Sequence, residues 1–118
     1  MKKLAVIAIG GNSLIRDKHH LKVEDQYREV TRTVTHIVEI IKKGYEVVIT
    51  HGNGPQVGFV LRRSEIAYEA EGLHFVPLQS CVANTQGAIG YQIQQALANE
   101  LRRQNIPRQA VTLVTQVK

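Results

Sequence analysis

Two short stretches of glycine and asparagine, each directly after an apolar run, are the residues of this sequence best suited to chemistry. Gly10-Gly11-Asn12-Ser13 follows the unbroken apolar segment Leu4–Ile9, and His51-Gly52-Asn53-Gly54-Pro55-Gln56-Val57-Gly58 follows Val47-Val48-Ile49. A glycine-rich bend between the carboxyl end of a strand and the start of a helix turns several N–H groups toward one point. The helix dipole adds positive potential there, so the favoured ligand is an anion such as phosphate or a carboxylate. Pro55 has no N–H to leave unpaired and its φ is preset for a first helical turn. Gly54 is expected to take positive φ and aim the N–H groups. The plainer reading of one such loop is a tight turn that uses glycine for steric reasons alone. A second loop of the same kind favours the anion site, because two parallel strands place both bends at the sheet edge where open α/β sheets bind ligands.

The elements that must position these loops follow from periodicity. Leu4–Ile9 and Glu46–Thr50 read as buried parallel strands. Between them, Glu24–Lys43 reads as a long helix, with Tyr27, Val30, Val34, Ile37, Val38 and Ile41 on one face. Asp25 and Glu29 near its start and Lys42-Lys43 at its end suit the dipole, and Gly44 supplies a left-handed C′ residue. Phe59–Ala70 reads as a second helix, Glu71–Pro77 as a linker, and about Ser80–Gln104 as a third helix. Ala110–Thr115, after the break at Pro107, reads as a third strand. Three strands alternating with three helices predict a parallel sheet with right-handed crossovers. Gly87 and Gly90 inside the third helix each cost about 1 kcal/mol against alanine, so a close contact must offset them. Another backbone, a partner subunit or a ligand could supply it, and a helix kink is the plain alternative.

Three motifs together resemble a known family. Ala8-Ile9-Gly10-Gly11-Asn12-Ser13-Leu14, then His51–Gly58, then Pro77–Ala83 with Thr85-Gln86-Gly87-Ala88-Ile89-Gly90-Tyr91, are similar to carbamate kinases, a branch of the amino acid kinase superfamily. The likeness runs from Lys3 to the last residue, and the His51–Gly58 string is its most specific part. Ala8 stands where many superfamily members carry lysine, as it does in carbamate kinases. The resemblance implies a three-layer αβα fold with a mainly parallel sheet. Residues 1–118 would be its amino-terminal carbamate- and phosphate-binding lobe, with the nucleotide-binding lobe and catalytic lysines elsewhere.

The reaction so implied is reversible phosphoryl transfer from ATP to carbamate, giving ADP and carbamoyl phosphate, with Mg²⁺. Gly10, Gly11, Gly52, Asn53 and Gly54 would hold the substrates through their N–H groups, and Asn12 and Asn53 through their side chains as well. No lysine here falls in a matching motif, so the catalytic residues are not assigned, and the nucleotide and metal contacts are expected mostly outside these residues. A homodimer paired through the third helix, which makes a partner subunit the first candidate for the contact at Gly87 and Gly90, and a role in arginine and carbamoyl phosphate metabolism are implied too. A cytoplasmic location is the expectation from the lone cysteine and the want of a leader or membrane span. Gln79 departs from the usual aspartate after Pro-Leu, and Ser13 from a common alanine.

Composition agrees with a compact domain: 118 residues, 43% apolar, 21% charged. The net charge of +5 comes from scattered pairs such as Arg62-Arg63, with no interleaved aromatics, which argues for a solvated face and against a nucleic-acid stripe. Lys2-Lys3 before a short apolar run imitates a signal peptide, but the run ends in Gly-Gly-Asn with no cleavage site, and nothing approaches a membrane span. The single cysteine, Cys81, permits no internal disulfide and reads as a small buried residue in preference to a reactive thiol. His19-His20, in the polar stretch Arg16–Lys22, has no further ligands at metal spacing, and His36 falls on the polar helix side. A dinucleotide-binding module would need Gly-x-Gly-x-x-Gly after its first strand, which Gly10–Ile15 does not supply. A non-catalytic half-domain that binds an anion or a partner is the remaining rival.

Overall fold

The computed structural model describes residues 2–15 and 17–116, so Arg16, at the head of the polar stretch, lies outside the described residues. Strand β1 (Leu4–Ile9) leads into a 3-10 turn (Gly11–Leu14), then α1 (Val23–Lys42), strand β2 (Glu46–His51), α2 (Gly54–Glu71) and α3 (Leu78–Arg103). The two strands pair in parallel, with Leu4 opposite Glu46 and Ile9 opposite His51. Both carboxyl ends therefore finish at one edge, level with each other, and each opens into a glycine loop.

Helix α1 forms where its apolar spacing predicts. Val30, Val34, Ile37 and Val38 are fully buried, facing Ile89, Ile93, Ala96, Leu97 and Leu101 of α3 in one core. Each buried aliphatic side chain of this size contributes about 1.5–3 kcal/mol. At its start the Asp25 carboxylate accepts from the Lys22 backbone N–H at 3.2 Å, and at its end Gly44 takes φ 92°, the left-handed residue expected there. The sheet face carrying Ile7, Ile9, Val47 and Ile49 packs on this core. On the other face Leu4, Val6 and Val48 are exposed, so among the described residues the strands are covered on one side. Their continuous apolar composition had suggested burial on both.

Two helix boundaries and one strand differ from the sequence reading. Helix α2 starts at Gly54, five residues earlier than expected, because Pro55 in its first turn continues the helix back to the loop. Helix α3 ends at Arg103, and Asn105 takes the left-handed φ of 56° before Pro107 is reached. The third strand is absent among the described residues: residues 110–115 join no sheet, and Val111, Leu113 and Val114 are exposed. That segment lies instead along α3. Gln86 donates to the Thr115 carbonyl at 3.1 Å and accepts from its N–H at 2.7 Å, which supplies the pairing a neighbouring strand would give. Thr112 donates to Gln94 at 2.8 Å and its side chain sits directly over Gly90. The close contact that offsets Gly90 is therefore this segment and not the partner subunit first expected. Gly87 has open space above it.

Ion pairs at the periphery make the fold acid-sensitive in a defined window. Arg103 donates to Glu100 at 2.5 and 3.0 Å and Gln104 donates at 2.6 Å, and together they hold the Glu100 carboxyl down to about 2 from its ordinary 4.5. Lys2 and Arg108 likewise lower Glu46, on β2. A depressed carboxyl pKa gives stability that is present above 4.5 and lost as pH falls toward 2. Both carboxylates are half-buried at the surface beside partners that are largely solvent-exposed, Lys2 and Arg103, so the effect is modest and screened by salt. Thermal midpoints recorded from pH 5 to 2 should fall less steeply for Glu100→Gln than for wild type. An identical acid limb would show that the Arg103 pairing contributes nothing.

Candidate functional site

The level strand ends bring the two glycine loops into direct contact. A β-carbon built on Gly11 would stand 2.9 Å from the Asn53 nitrogen and 3.0 Å from both the Gly54 nitrogen and Gln56 Oε1. One built on Gly52 would stand 3.0 Å from the Gly11 nitrogen. No side chain fits at either position without displacing backbone. The glycines here serve close approach and not left-handed backbone, because neither Gly11, Gly52 nor Gly54 has positive φ. Gly54 is the first residue of α2 with open space around it, so its expected role in a strained turn is corrected. The steric reading and the anion reading of the loops are thus compatible. Tight packing of one loop on the other brings the Gly11, Asn53 and Gly54 nitrogens close together.

Which N–H groups remain available follows from the bonds already made. Gly52 N–H donates to the Ile9 carbonyl at 2.8 Å and extends the strand ladder, so it is not free for a ligand as expected. The N–H groups of Gly11 and Asn12 open the 3-10 turn, and that of Gly54 opens α2; first-turn donors have no acceptor within their own helix. Ser13 closes the first loop, donating from its N–H at 3.1 Å and its hydroxyl at 2.6 Å to the Gly10 carbonyl. Asn12 is exposed within this turn. The Asn53 amide donates to Thr85 Oγ1 of α3 at 2.8 Å, which ties the second loop to α3 and commits one of its two amide hydrogens. The structure therefore brings Gly10, Gly11, Asn12, Gly52, Asn53 and Gly54 to one sheet edge, with Gly52 in a packing role.

Two residues with no assigned role in the sequence reading prove to hold the site. Gln56, buried in the first turn of α2, donates at 3.1 Å to the Gly11 carbonyl and fastens the first loop to the second. Thr85, buried in α3, receives Asn53 and passes its own hydrogen to the Val82 carbonyl at 2.7 Å. A polar residue on a face otherwise meant for the core is the signal that points to both. Cys81 is buried, as expected, with its thiol 3.7 Å from the Val76 carbonyl, and Gln79 is exposed in the first turn of α3. His20 bonds Asp17 at 2.7 Å. Among the described residues no group of three or more His, Cys, Asp or Glu is arranged to hold a metal ion. No helix of the described residues is long and apolar enough to cross a membrane.

The chain that carries these two loops, with no room for a β-carbon at Gly11 or Gly52, has known relatives. Residues 3–116 match the amino acid kinase family. The chain belongs to that family. It is 52% identical over 118 residues to the carbamate kinase-like protein YahI of Escherichia coli K12, and 45% identical over 116 residues to a carbamate kinase of Pyrococcus horikoshii. Those matches cover 100% and 98% of this chain and 37% of each relative, so the chain spans little more than a third of their length. Its fold superposes on the carbamate kinase of Giardia lamblia bound to AMP-PNP with a TM-score of 0.83 at 37% identity, covering 91% of this chain and 37% of that one. A parallel sheet with flanking helices, covering part of the amino acid kinase fold, is what this family member presents.

Proposed function

We propose that this amino acid kinase supplies the carbamate- and phosphoryl-binding lobe of a carbamate kinase-like phosphotransferase, interconverting ATP plus carbamate with ADP plus carbamoyl phosphate. The observation that carries the reading is the contact between the loops: the Gly11 β-carbon position lies within 3.0 Å of the Asn53 and Gly54 nitrogens at the head of α2. Such a cradle fits an anionic group, since N–H donors and a helix N-terminus both favour negative charge. In this reading Gly10, Gly11, Asn53 and Gly54 orient the transferring phosphoryl oxygens, and the Asn12 side chain reaches the same group. Phosphoryl transfer asks for little beyond positioning and charge neutralisation. Neither loop contains lysine or arginine, so ATP or ADP and Mg²⁺ would be held mostly by other residues, which supply the neutralising charge.

The uncovered Leu4, Val6 and Val48 face supports a lobe on which further chain packs. A cytoplasmic homodimer paired through α3 belongs to the same reading; Gly87 and Tyr91, one helical turn apart, leave an open strip on that helix. The absence of a cationic side chain from both loops favours one second reading, a half-domain that binds an anion or a partner without turnover.

The test is ATP formation from carbamoyl phosphate and ADP with Mg²⁺. Residues 1–118 alone should show negligible turnover, because charge stabilisation is usually the largest catalytic term and most of it is missing here. The same residues fused to the remaining length of a carbamate kinase relative should turn over robustly. Comparable turnover by the short chain contradicts the two-lobe reading, and a silent fusion protein selects the non-catalytic one.

A further inference from the structure

Three glutamines from three helices join end to end behind the loops. Gln56 Nε2 of α2 donates to the Gly11 carbonyl at 3.1 Å and to Gln26 Oε1 of α1 at 3.1 Å. Gln26 Nε2 donates in turn to Gln92 Oε1 of α3, and Gln92 Nε2 to the Val23 carbonyl at 3.3 Å. Gln56 and Gln92 are buried and Gln26 is half-buried. The direction of the chain is fixed from both ends, since backbone carbonyls stand at each terminus and can only accept. Turning any one amide over would set two carbonyl oxygens against each other. With both its hydrogens used, Gln56 keeps Oε1 buried without a partner, 3.0 Å from the Gly11 β-carbon position. Buried acceptors left unpaired are rare and costly, so a function that needs this orientation is the natural reason to retain one.

We infer that the Gln56–Gln26–Gln92 chain sets the position of the Gly10–Leu14 turn against the head of α2, and thereby the anion affinity of the cradle between them. Gln56 is a positioning residue: it holds Gly11 through its carbonyl and leaves the N–H side of the loop to the ligand. Gln26 and Gln92 act through Gln56, which makes the cradle sensitive to how α1 and α3 pack. The inference rests on the reading of the loops as an anion site.

The test uses the 118-residue chain, ¹⁵N NMR and inorganic phosphate. Gln26→Met keeps the length of the side chain but removes the acceptor for Gln56. It should move the ligand-free amide resonances of Gly11 and Gly54 and weaken phosphate binding by roughly tenfold, the scale of one net hydrogen bond. Gln26→Glu retains that acceptor but turns a carboxylate oxygen toward Gln92 Oε1 and sets a negative charge behind the cradle, so it is read by its ligand-free spectrum. Its Gly11 and Gly54 resonances should stay nearer wild type than those of Gln26→Met, even though it is the less stable of the two. A merely structural role gives the opposite order, with the resonance shifts following the loss of stability, and that order overturns the inference. Gln92→Met provides the same comparison should Gln26→Met not fold. Wild-type chain that shows no saturable phosphate shifts removes the anion reading alone. The amide chain is then judged on the ligand-free spectra, where unmoved Gly11 and Gly54 resonances in folded Gln26→Met refute it.

Discussion

Gly11→Ala and Gly52→Ala are expected to abolish phosphate binding and to destabilise the fold, while Gly54→Ala does neither. A β-carbon at Gly11 meets two backbone nitrogens at 2.9 and 3.0 Å, and one at Gly52 meets the Gly11 nitrogen at 3.0 Å. Backbone cannot yield as a side-chain end can, so the loops must separate. Overpacking of this kind costs about 1–3 kcal/mol, and the separation pulls apart the N–H groups that make the cradle. Gly54 stands in open space at the start of α2, without positive φ, where alanine is a better helix former by about 0.5–1 kcal/mol. Urea unfolding and phosphate titration of the three variants check this directly. Equal losses at all three positions would mean that flexibility, and not close approach, is what the loops require.

Gly90→Ala is the second large effect expected. Gly90 is buried in α3 under the Thr112 side chain, and an added methyl group would overlap the Thr112 γ-carbon. Threonine is branched at Cβ and stiff at χ1, so it cannot swing aside cheaply. The substitution should cost about 1–3 kcal/mol and release residues 110–115 from the helix. Thr112→Ala removes the two nearest obstructing atoms and leaves only the β-carbon at 3.2 Å, so the double variant should recover most of the loss, beyond the sum of the single changes. Additive losses in that cycle would place the Gly90 constraint elsewhere.

The sequence carried the placement of the two loops further than it carried the edges of the fold. Helix α1 was legible because its apolar residues repeat at helical spacing and Gly44 ends it by a local rule. Gly10-Gly11 and Gly52-Asn53-Gly54 were legible as a pair because each follows a strand, but the reason for the glycines was not. Their job is close approach between segments forty residues apart, and no local pattern encodes which backbone passes over them. Ala110–Thr115 shows the reverse error. Its composition suits a strand, yet a strand needs a ladder partner, and Gln86 supplies that pairing from a helix surface. The amides of Gln56, Gln26 and Gln92 were invisible for the same reason: each is an ordinary polar residue until the three helices bring them together.

A crystal structure of the chain in sulfate tests the central claim most directly. The account predicts a sulfate between the two loops, within hydrogen-bonding distance of the N–H groups of Gly11 and Gly54 and in line with the axis of α2. Loops in contact as here but with those N–H groups turned away from the ion, or sulfate bound only at the scattered arginine and lysine pairs, would contradict it.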